Sequence, residues 1–407
     1  MTAARSAEIG DPSAKELALA AKASGRIALD TEFMGERRYQ TLLCLIQLAV
    51  PDGAVGERIE LVDPLAEHLD GAPLAEVLAD PRVQVVVHAG RQDVALVRRR
   101  LRTKVRNVFD TQVAAGFAGM PAQTSYDMLL SELLGVRVTK SASFTRWDAR
   151  PLSPEQLAYA REDVVHLLEL AGELERRLAE IGRLEWAREE CEPLQHASDE
   201  RDLETIFARL PRVRGLSAAS QTIARELMRW REEIAAAQDR PVQSILGDAT
   251  LVEIARRKPT SSAKLEQIRG VNQSSLRRRG RDLLDAVRRG GERPPEALAP
   301  ESRPPRPDPD DAPLIALAEA MVRARAREAG LAYELLATKA DLQAIVAAKR
   351  LGDTDAEVRT LRGWRHELVG KELLELLDGR VSLSVAQATG DRESGGGSGG
   401  GSRLRIV

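Results

Sequence analysis

Cysteine is scarce. The 407-residue chain has only two, Cys44 and Cys191, too few for a disulfide framework or a cysteine-built zinc site. Free thiols suit a reducing compartment, so the cytoplasm is the expected location. Aromatic residues make up just 3%, which argues against recognition built mainly on stacking platforms for bases. Neither sign of charge dominates, since 60 basic and 62 acidic residues leave a formal charge of −2. Binding a polyanion would then rest on local basic patches or metal ions rather than on a global field. No apolar run approaches the roughly 20 residues of a membrane span, and the first residues lack a signal-peptide core. What remains is an ordinary folding composition, 43% hydrophobic and 30% charged. At roughly 100–200 residues per domain, the length suggests two to four domains.

Up to about residue 110, short β-rich runs alternate with polar turns and helical stretches. Residues 26–30 (RIALD), 41–50 (TLLCLIQLAV), 58–63 (RIELVD), 83–88 (VQVVVH) and 105–110 (VRNVFD) read as strands. Pro51-Asp52-Gly53 between the second and third predicts a hairpin-like antiparallel pair. A helical pattern from Gln92 separates the fourth from the fifth, as a parallel pair needs. The economical reading is a mixed five-stranded α/β sheet. No further strand is expected between Thr111 and the C-terminal tail.

The clearest helix start is Ser153-Pro154-Glu155-Gln156. Serine caps, proline takes the first helical position, and glutamine completes a capping box. The helix should run to about Arg188, with a possible break near Gly182. Residues 217–290 alternate amphipathic helices with turn signals and read as a small all-α domain. Eight prolines between 293 and 313 make that stretch an extended, semi-rigid linker. Residues 314–378 are helical again, and 391–402 are rich in glycine and serine.

Four carboxylates and a phenol stand out. Asp30 and Glu32 lie two apart at the end of an apolar strand, so their side chains share a face. Paired acids leaving a core strand repel one another unless a cation compensates; a turn or helix cap is the plainer explanation for a lone D-x-E. Asp93 follows in HAGRQD, where a strand gives way to a helix and an acid can serve the helix N-terminus. Tyr159 and Asp163 are four apart in YARED, on one helical face. Asp110 closes the next strand and reads as structural, and so does His88.

In order and spacing, DTEF, HAGRQD and YAREDVVHL resemble the three exonuclease motifs of the tyrosine-containing branch of the DEDD superfamily. The likeness is closest to ribonuclease D: LIQLA, the HAG lead-in, NVFDTQVAAGFAG and TKSASFTRWDARPLSPEQLAYAREDVVHL carry it from about residue 18 to 188. ELMRWREEIA, DRPVQSILGDATLVEIARRKP and LEQIRGV resemble the HRDC domain, and LRGWRHELVGKELLELL more weakly resembles the family's second helical domain. The long proline-rich linker departs from the family pattern and leaves the docking of the two helical domains open.

The resemblance implies a ribonuclease-H-like exonuclease domain over residues 1–192, a helical connector (193–215), and an HRDC domain (216–292). A proline-rich linker (293–313), a second HRDC-like helical domain (314–379) and a disordered tail (380–407) would follow. It implies two divalent ions, Mg²⁺ or Mn²⁺, since hard carboxylate oxygens suit these better than zinc. Asp30, Glu32 and Asp163 would hold one ion, Asp30 and Asp93 the second, and Tyr159 would orient the attacking water. Lys140, Arg146 and Trp147 would touch the substrate, and Arg277, Arg278 and Arg279 would contact RNA from the HRDC domain. The basic run at Arg98, Arg99, Arg100, Arg102, Lys104 and Arg106 reads as a solvated helix face. The implied activity is 3′-to-5′ hydrolysis of RNA to 5′-mononucleotides, with single-stranded 3′ ends and transfer-RNA precursors as partners. A monomer with no obligate protein partner and no membrane association is expected. The alternatives are a DNA-directed exonuclease of the same branch and a non-catalytic binding module on the same fold.

Overall fold

In the computed structural model, the β-rich runs form β1 (Arg26–Met34), β2 (Leu42–Pro51), β3 (Glu57–Val62), β4 (Gln84–Val87) and β5 (Val108–Asp110). The structure describes residues 12–52, 56–121, 123–138, 146–271, 273–299, 308–352, 356–386 and 403–406. The five strands make the expected mixed sheet in the order β3-β2-β1-β4-β5. β1 runs antiparallel to β2, and β2 to β3; the β1–β4 and β4–β5 pairs are parallel. β1 continues past Asp30 because the acids stay in the ladder, Asp30 opposite Gln47 and Glu32 opposite Leu45. A bulge then shifts the register between Glu32 and Phe33.

Alternation along the strands splits the core in two. Ile27, Leu29, Ile46, Leu48, Val85 and Val87 face α1 (Pro12–Ser24), α2 (Ala72–Ala79) and α3 (Arg91–Leu101). The opposite face carries the small residues Ala28 and Ala49 with Val86 and Phe109. Over it lie α4 (Thr111–Phe117), α5 (Tyr126–Leu129), α6 (Pro154–Glu162), α7 (Leu167–Glu180) and α8 (Leu184–Cys191). Ser153 caps α6 through the complete capping box. The helix expected up to Arg188 breaks near Gly182, as anticipated, and also at a second place that was not. α6 ends at Glu162, residues 163–166 form a turn, and Gly182, at φ +68°, separates α7 from α8. The turn redirects the chain so that α7 can lay Leu167, Leu170, Ala171 and Leu174 on the sheet.

The helical units differ in how they join this layer. α9 (Leu203–Ala208), α10 (Ala218–Ala237), α11 (Val242–Ile245), α12 (Asp248–Arg257), α13 (Ser262–Glu266) and α14 (Gln273–Glu292) enclose a separate core around Leu227, Trp230, Leu251 and Leu283. Phe207, Leu210 and Val213, expected in a connector, belong to that core because they are buried against it. Residues 293–299 are extended but held to α10: Glu296 N–H donates to Thr222 Oγ1 (2.8 Å) and Leu298 N–H to Gln221 Oε1 (2.7 Å).

α15 (Asp311–Ala329) starts inside the expected linker and leads into α16 (Tyr333–Leu336), α17 (Lys339–Arg350), α18 (Gly363–Arg365) and α19 (Lys371–Leu377). These helices share one continuous core with α4 and α7. Trp364 stacks on Trp186 with ring centroids 5.3 Å apart and meets Phe117 edge-on at 5.0 Å. The tail is not wholly without structure. β6 (Leu383–Ala386) pairs antiparallel with β7 (Arg403–Ile406), and Leu383 and Ile406 pack against the same core. The glycine- and serine-rich stretch between them lies outside the described residues. Among the described residues, no helix is long and apolar enough to cross a membrane.

Candidate active site

The face of β1 that carries Ala28 into the core carries Asp30 and Glu32 beyond it, beneath the α6–α7 turn. Asp163 caps the C-terminus of α6, the end where a negative charge is least favoured. Asp93 lies in the first turn of α3, the end where a negative charge is favoured. The strand-to-helix turn before it is tight. A Cβ on Gly90 would fall 2.4 Å from Val87 Cβ, so only glycine fits there. Thr31, on the opposite face from Asp30, donates its hydroxyl hydrogen bond to Asp93.

The electrostatics of these groups identify them as one cluster. Burial, followed by the charges of Asp93, Asp163 and Glu32, raises the Asp30 carboxyl well above the ordinary range. Burial and then Asp163 and Asp93 push Glu32 up to about 8. Burial, with Glu162 adding to it, lifts Asp163 to about 7. Asp93 is also raised by burial, against the bond from Thr31. Tyr159 is pushed up to about 12 by burial and then by Asp163, Glu32 and Asp30. Among the described residues, no lysine or arginine is among the main groups that act on any of these side chains.

The donor set suits a hard divalent cation in kind, being carboxylate oxygen throughout. It suits one in charge as well, since a cation would offset the burial that raises all four acids and the repulsion that adds to it at Asp30 and Glu32. Among the described residues, no three His, Cys, Asp or Glu side chains are already closed around one point. Asp93 is engaged by the Thr31 hydroxyl.

The other expected residues fare unevenly. Asp110 is structural, accepting the backbone N–H groups of Ala89 (3.0 Å), Gly90 (2.9 Å) and Gln112 (2.8 Å). Thr111 gives its hydroxyl proton to Val87 O (3.1 Å), so the 2.9 Å contact with His88 Nδ1 makes the imidazole the donor. His88 is thereby fixed as a supporting residue. Trp147 is 3% exposed and packs with Leu152 and Ala160, its ring 6.0 Å from that of Tyr159. It lies under the site rather than offering a face to a base. Arg146 is exposed and pairs with Asp148 at 3.0 Å. Lys140 lies outside the described residues.

On α14, Arg277 and Arg278 are exposed, whereas Arg279 is half-buried and bonds Ile245 O (3.3 Å) and Gln238 Oε1 (3.1 Å). Of the basic run, Arg100, Arg102, Lys104 and Arg106 are exposed, as a solvated face predicts, whereas Arg98 and Arg99 are half-buried, Arg99 pairing with Asp199; the exposed Arg100 also donates to Pro64 O at 2.6 Å. Such long side chains can reach back to backbone carbonyls, which spacing alone does not reveal.

Two residues near the cluster escaped the sequence reading. Tyr126 packs 5.5 Å from His88, ring to ring, and its phenol is pushed upward by burial and then by Asp163, Glu57 and Asp30. Gln47 is fully buried opposite Asp30, and neither end of its amide has a hydrogen-bond partner among the described residues. The signal for Gln47 was a polar residue inside an otherwise apolar strand, LLCLIQLAVP.

Known proteins place the chain in context. A family model described as a 3′-5′ exonuclease matches residues 11–179, and the HRDC domain model matches residues 220–287. The ribonuclease D of Nitrobacter hamburgensis is 34% identical over 365 residues, 88% of this chain and 91% of that protein. The ribonuclease D of Gluconacetobacter diazotrophicus is 36% identical over 364 residues, covering 88% and 89%. Among solved structures, Escherichia coli RNase D, described as an exoribonuclease involved in structured RNA processing, superposes with a TM-score of 0.74. It is 27% identical, over 91% of this chain and 98% of that one.

Proposed function

The chain belongs to the ribonuclease D family, and on that premise we propose that it is a divalent-metal-dependent 3′-to-5′ exoribonuclease releasing 5′-mononucleotides. The carrying observation is the buried group of Asp30, Glu32, Asp93 and Asp163: burial raises the proton affinity of all four, Asp93 and Asp163 add to it at Asp30 and Glu32, and no basic side chain among the described residues relieves them. Asp30, Glu32 and Asp163 are the proposed ligands of one Mg²⁺ or Mn²⁺, and Asp30 and Asp93 of a second. When bound, such ions supply positive charge to the attacking and leaving oxygens of a phosphodiester displacement.

Tyr159 orients the attacking water. Its phenol, pushed up to about 12, keeps its proton at neutral pH and acts as a hydrogen-bond donor or acceptor rather than a base. Thr31 holds Asp93 from the far side of β1, and the packed Trp147 supports the tyrosine ring. No side chain is needed as a covalent nucleophile.

Arg146, with Lys140, is proposed to guide the RNA backbone near the site, and Arg277 and Arg278 to contact RNA from the HRDC domain. Their contribution should weaken as salt rises. Transfer-RNA precursors with single-stranded 3′ ends are the proposed substrate class, and a cytoplasmic monomer the proposed form. The test incubates 5′-labelled RNA and DNA of one sequence with Mg²⁺ or Mn²⁺, beside a chelator control and a 3′-phosphate-blocked strand. Stepwise, metal-dependent shortening of RNA from its 3′ end is expected. Equal shortening of DNA would move the assignment to a DNA-directed enzyme, and no shortening would overturn it.

A further inference from the structure

Buried polar atoms in native folds are nearly always hydrogen-bonded. Gln47 is 0% exposed, and both Nε2 and Oε1 lie buried without a partner among the described residues. Its surroundings explain why. In the ladder, Gln47 stands directly between Asp30 on β1 and Leu61 on β3. Residues directly opposite in an antiparallel pair point to one face, with Cβ atoms roughly 4.5–5.5 Å apart. Leu61 offers no polar atom, and Leu45 and Ala49, next on the same face of β2, offer none either. The one polar side chain directly across the ladder is the carboxylate of Asp30.

Asp30 is correspondingly short of donors. Among the described residues, the backbone of Thr31 is the one hydrogen-bonding group that acts on it, and the charges that act on it are acids. β4 gives little on its open side, because β1–β4 pairing ends at Ala28 opposite Val86. We infer that Gln47 is a positioning residue, whose Nε2 donates to the Asp30 carboxylate when that side chain turns to take a divalent cation, fixing which oxygen is left for the ion. This inference rests on the nuclease reading above. Outer partners of this kind set the orientation and basicity of a metal-ligating group, and removing one typically weakens metal affinity by roughly 10–100-fold.

The inference separates stability from metal binding. An amide that is unpartnered until a cation arrives contributes nothing to the cation-free fold, so Gln47→Met, similar in size and apolar, should melt at the same or a higher temperature without metal. The same variant should bind Mn²⁺ roughly 10–100-fold more weakly, read by the paramagnetic resonance of free Mn²⁺ in a titration of the full chain. Gln47→Asn, which keeps the amide but draws it back by one methylene, should show a similar loss.

Unchanged Mn²⁺ affinity in either folded variant would overturn the inference. So would failure of both variants to fold, which would mean that the amide already holds the cation-free core together. Asp30→Asn is the control that keeps the two readings apart. If the unaltered chain takes up no Mn²⁺, the nuclease reading fails. If it binds Mn²⁺, loses binding in Asp30→Asn and keeps it in Gln47→Met, only the role of Gln47 fails.

Discussion

Buried carboxylates are treated in two ways in this molecule. In the helical units each has an arginine. Glu232 takes Arg201 at 2.8 and 3.0 Å, and Asp311 takes Arg350 at 3.0 Å. Glu226 faces Arg289 at 2.9 Å and Arg293 at 3.3 Å, and Asp248 meets Arg231 at 2.6 Å. At the sheet, Asp30, Glu32, Asp93 and Asp163 have none among the described residues. A chain with 60 basic residues has cations to spare, so the difference is not one of supply. In the helical units the sequence follows the rule that buried charge is paired. On the proposed reading, this departure is where a positive charge from solution is taken up; unfavourable local choices of this sort concentrate at functional sites.

The contrast predicts opposite signs for charge removal in the two regions, and the largest effect is at the sheet. Asp30→Asn should reduce RNA hydrolysis by roughly 10³-fold or more, as expected when several kcal/mol of cation-based stabilisation is lost. It should also raise the melting temperature of the metal-free protein, because one repelling charge is gone. A melting temperature that falls as activity disappears would mean that Asp30 is partnered after all. Glu232→Gln should do the reverse. The partner Arg201 is 29% exposed, so the loss should be on the order of 2 kcal/mol, below the ~3–5 kcal/mol for breaking a fully buried pair. Hydrolysis of short strands should stay near that of the unaltered chain. Denaturant melts beside short-strand assays measure both.

Why the acids were legible while their surroundings were not follows from the same contrast. D-x-E at a strand end and Y-x-x-x-D on a helix are local patterns, and period-2 and capping signals placed them on the right elements. Gln47 matters only through its partner across the ladder, and register is not written in either strand alone. The end of α6 at Glu162 went unread because the YARED pattern continues helically while the tertiary need to lay α7 on the sheet breaks it. The sharing of a core by α15–α19 was also hidden. Its signal is the fit of Trp364 between Trp186 and Phe117, nearly 180 residues away in one case and over 240 in the other.

The pH dependence sharpens the comparison further. Glu32 and Asp163 have folded-state values of about 8 and about 7, above their ordinary 4.5 and 3.8. The folded state therefore holds protons more tightly than the unfolded chain between about pH 4 and pH 8. Linkage then makes the metal-free protein lose stability as pH rises through that window and level off above it. Mn²⁺ competes with those protons, so the rise in melting temperature that it causes should be larger at pH 8 than at pH 5.5. Calorimetric scans at both values, with and without Mn²⁺, check the sign. Equal shifts at the two values would show that the cluster does not take the ion. Asp311 should add no such slope, since it is lowered rather than raised: its burial is outweighed by the Asp308 backbone and by Arg350.

The smallest effect is expected where a helical unit meets the sheet mainly through charged and polar contacts, with Tyr39 packed against its core. The HRDC domain touches the β1–β2 loop through Arg38, whose Nη1 lies 2.5 Å from Asp239 and whose Nη2 lies 3.7 Å from Asp148. Tyr39 adds a backbone N–H to Asp239 at 3.1 Å, and Arg201 covers its ring at 5.3 Å. Arg38 is 28% and Asp239 47% exposed, so Arg38→Ala should cost under about 1 kcal/mol. The C-terminal helices offer the counterexample, because Trp364→Ala at their shared core should cost about 3–5 kcal/mol. Screening should also tell the two apart: raising salt should loosen the Arg38 contact and leave the Trp364 packing unchanged. Hydrogen exchange around Tyr39 provides the measurement. Exchange that quickens in Arg38→Ala, and in the unaltered chain at high salt, would establish an electrostatic latch between the HRDC domain and the loop following the catalytic strand. Exchange indifferent to both would mean that the Tyr39–Arg201 contact fixes the docking, making this junction closer in kind to the packed one.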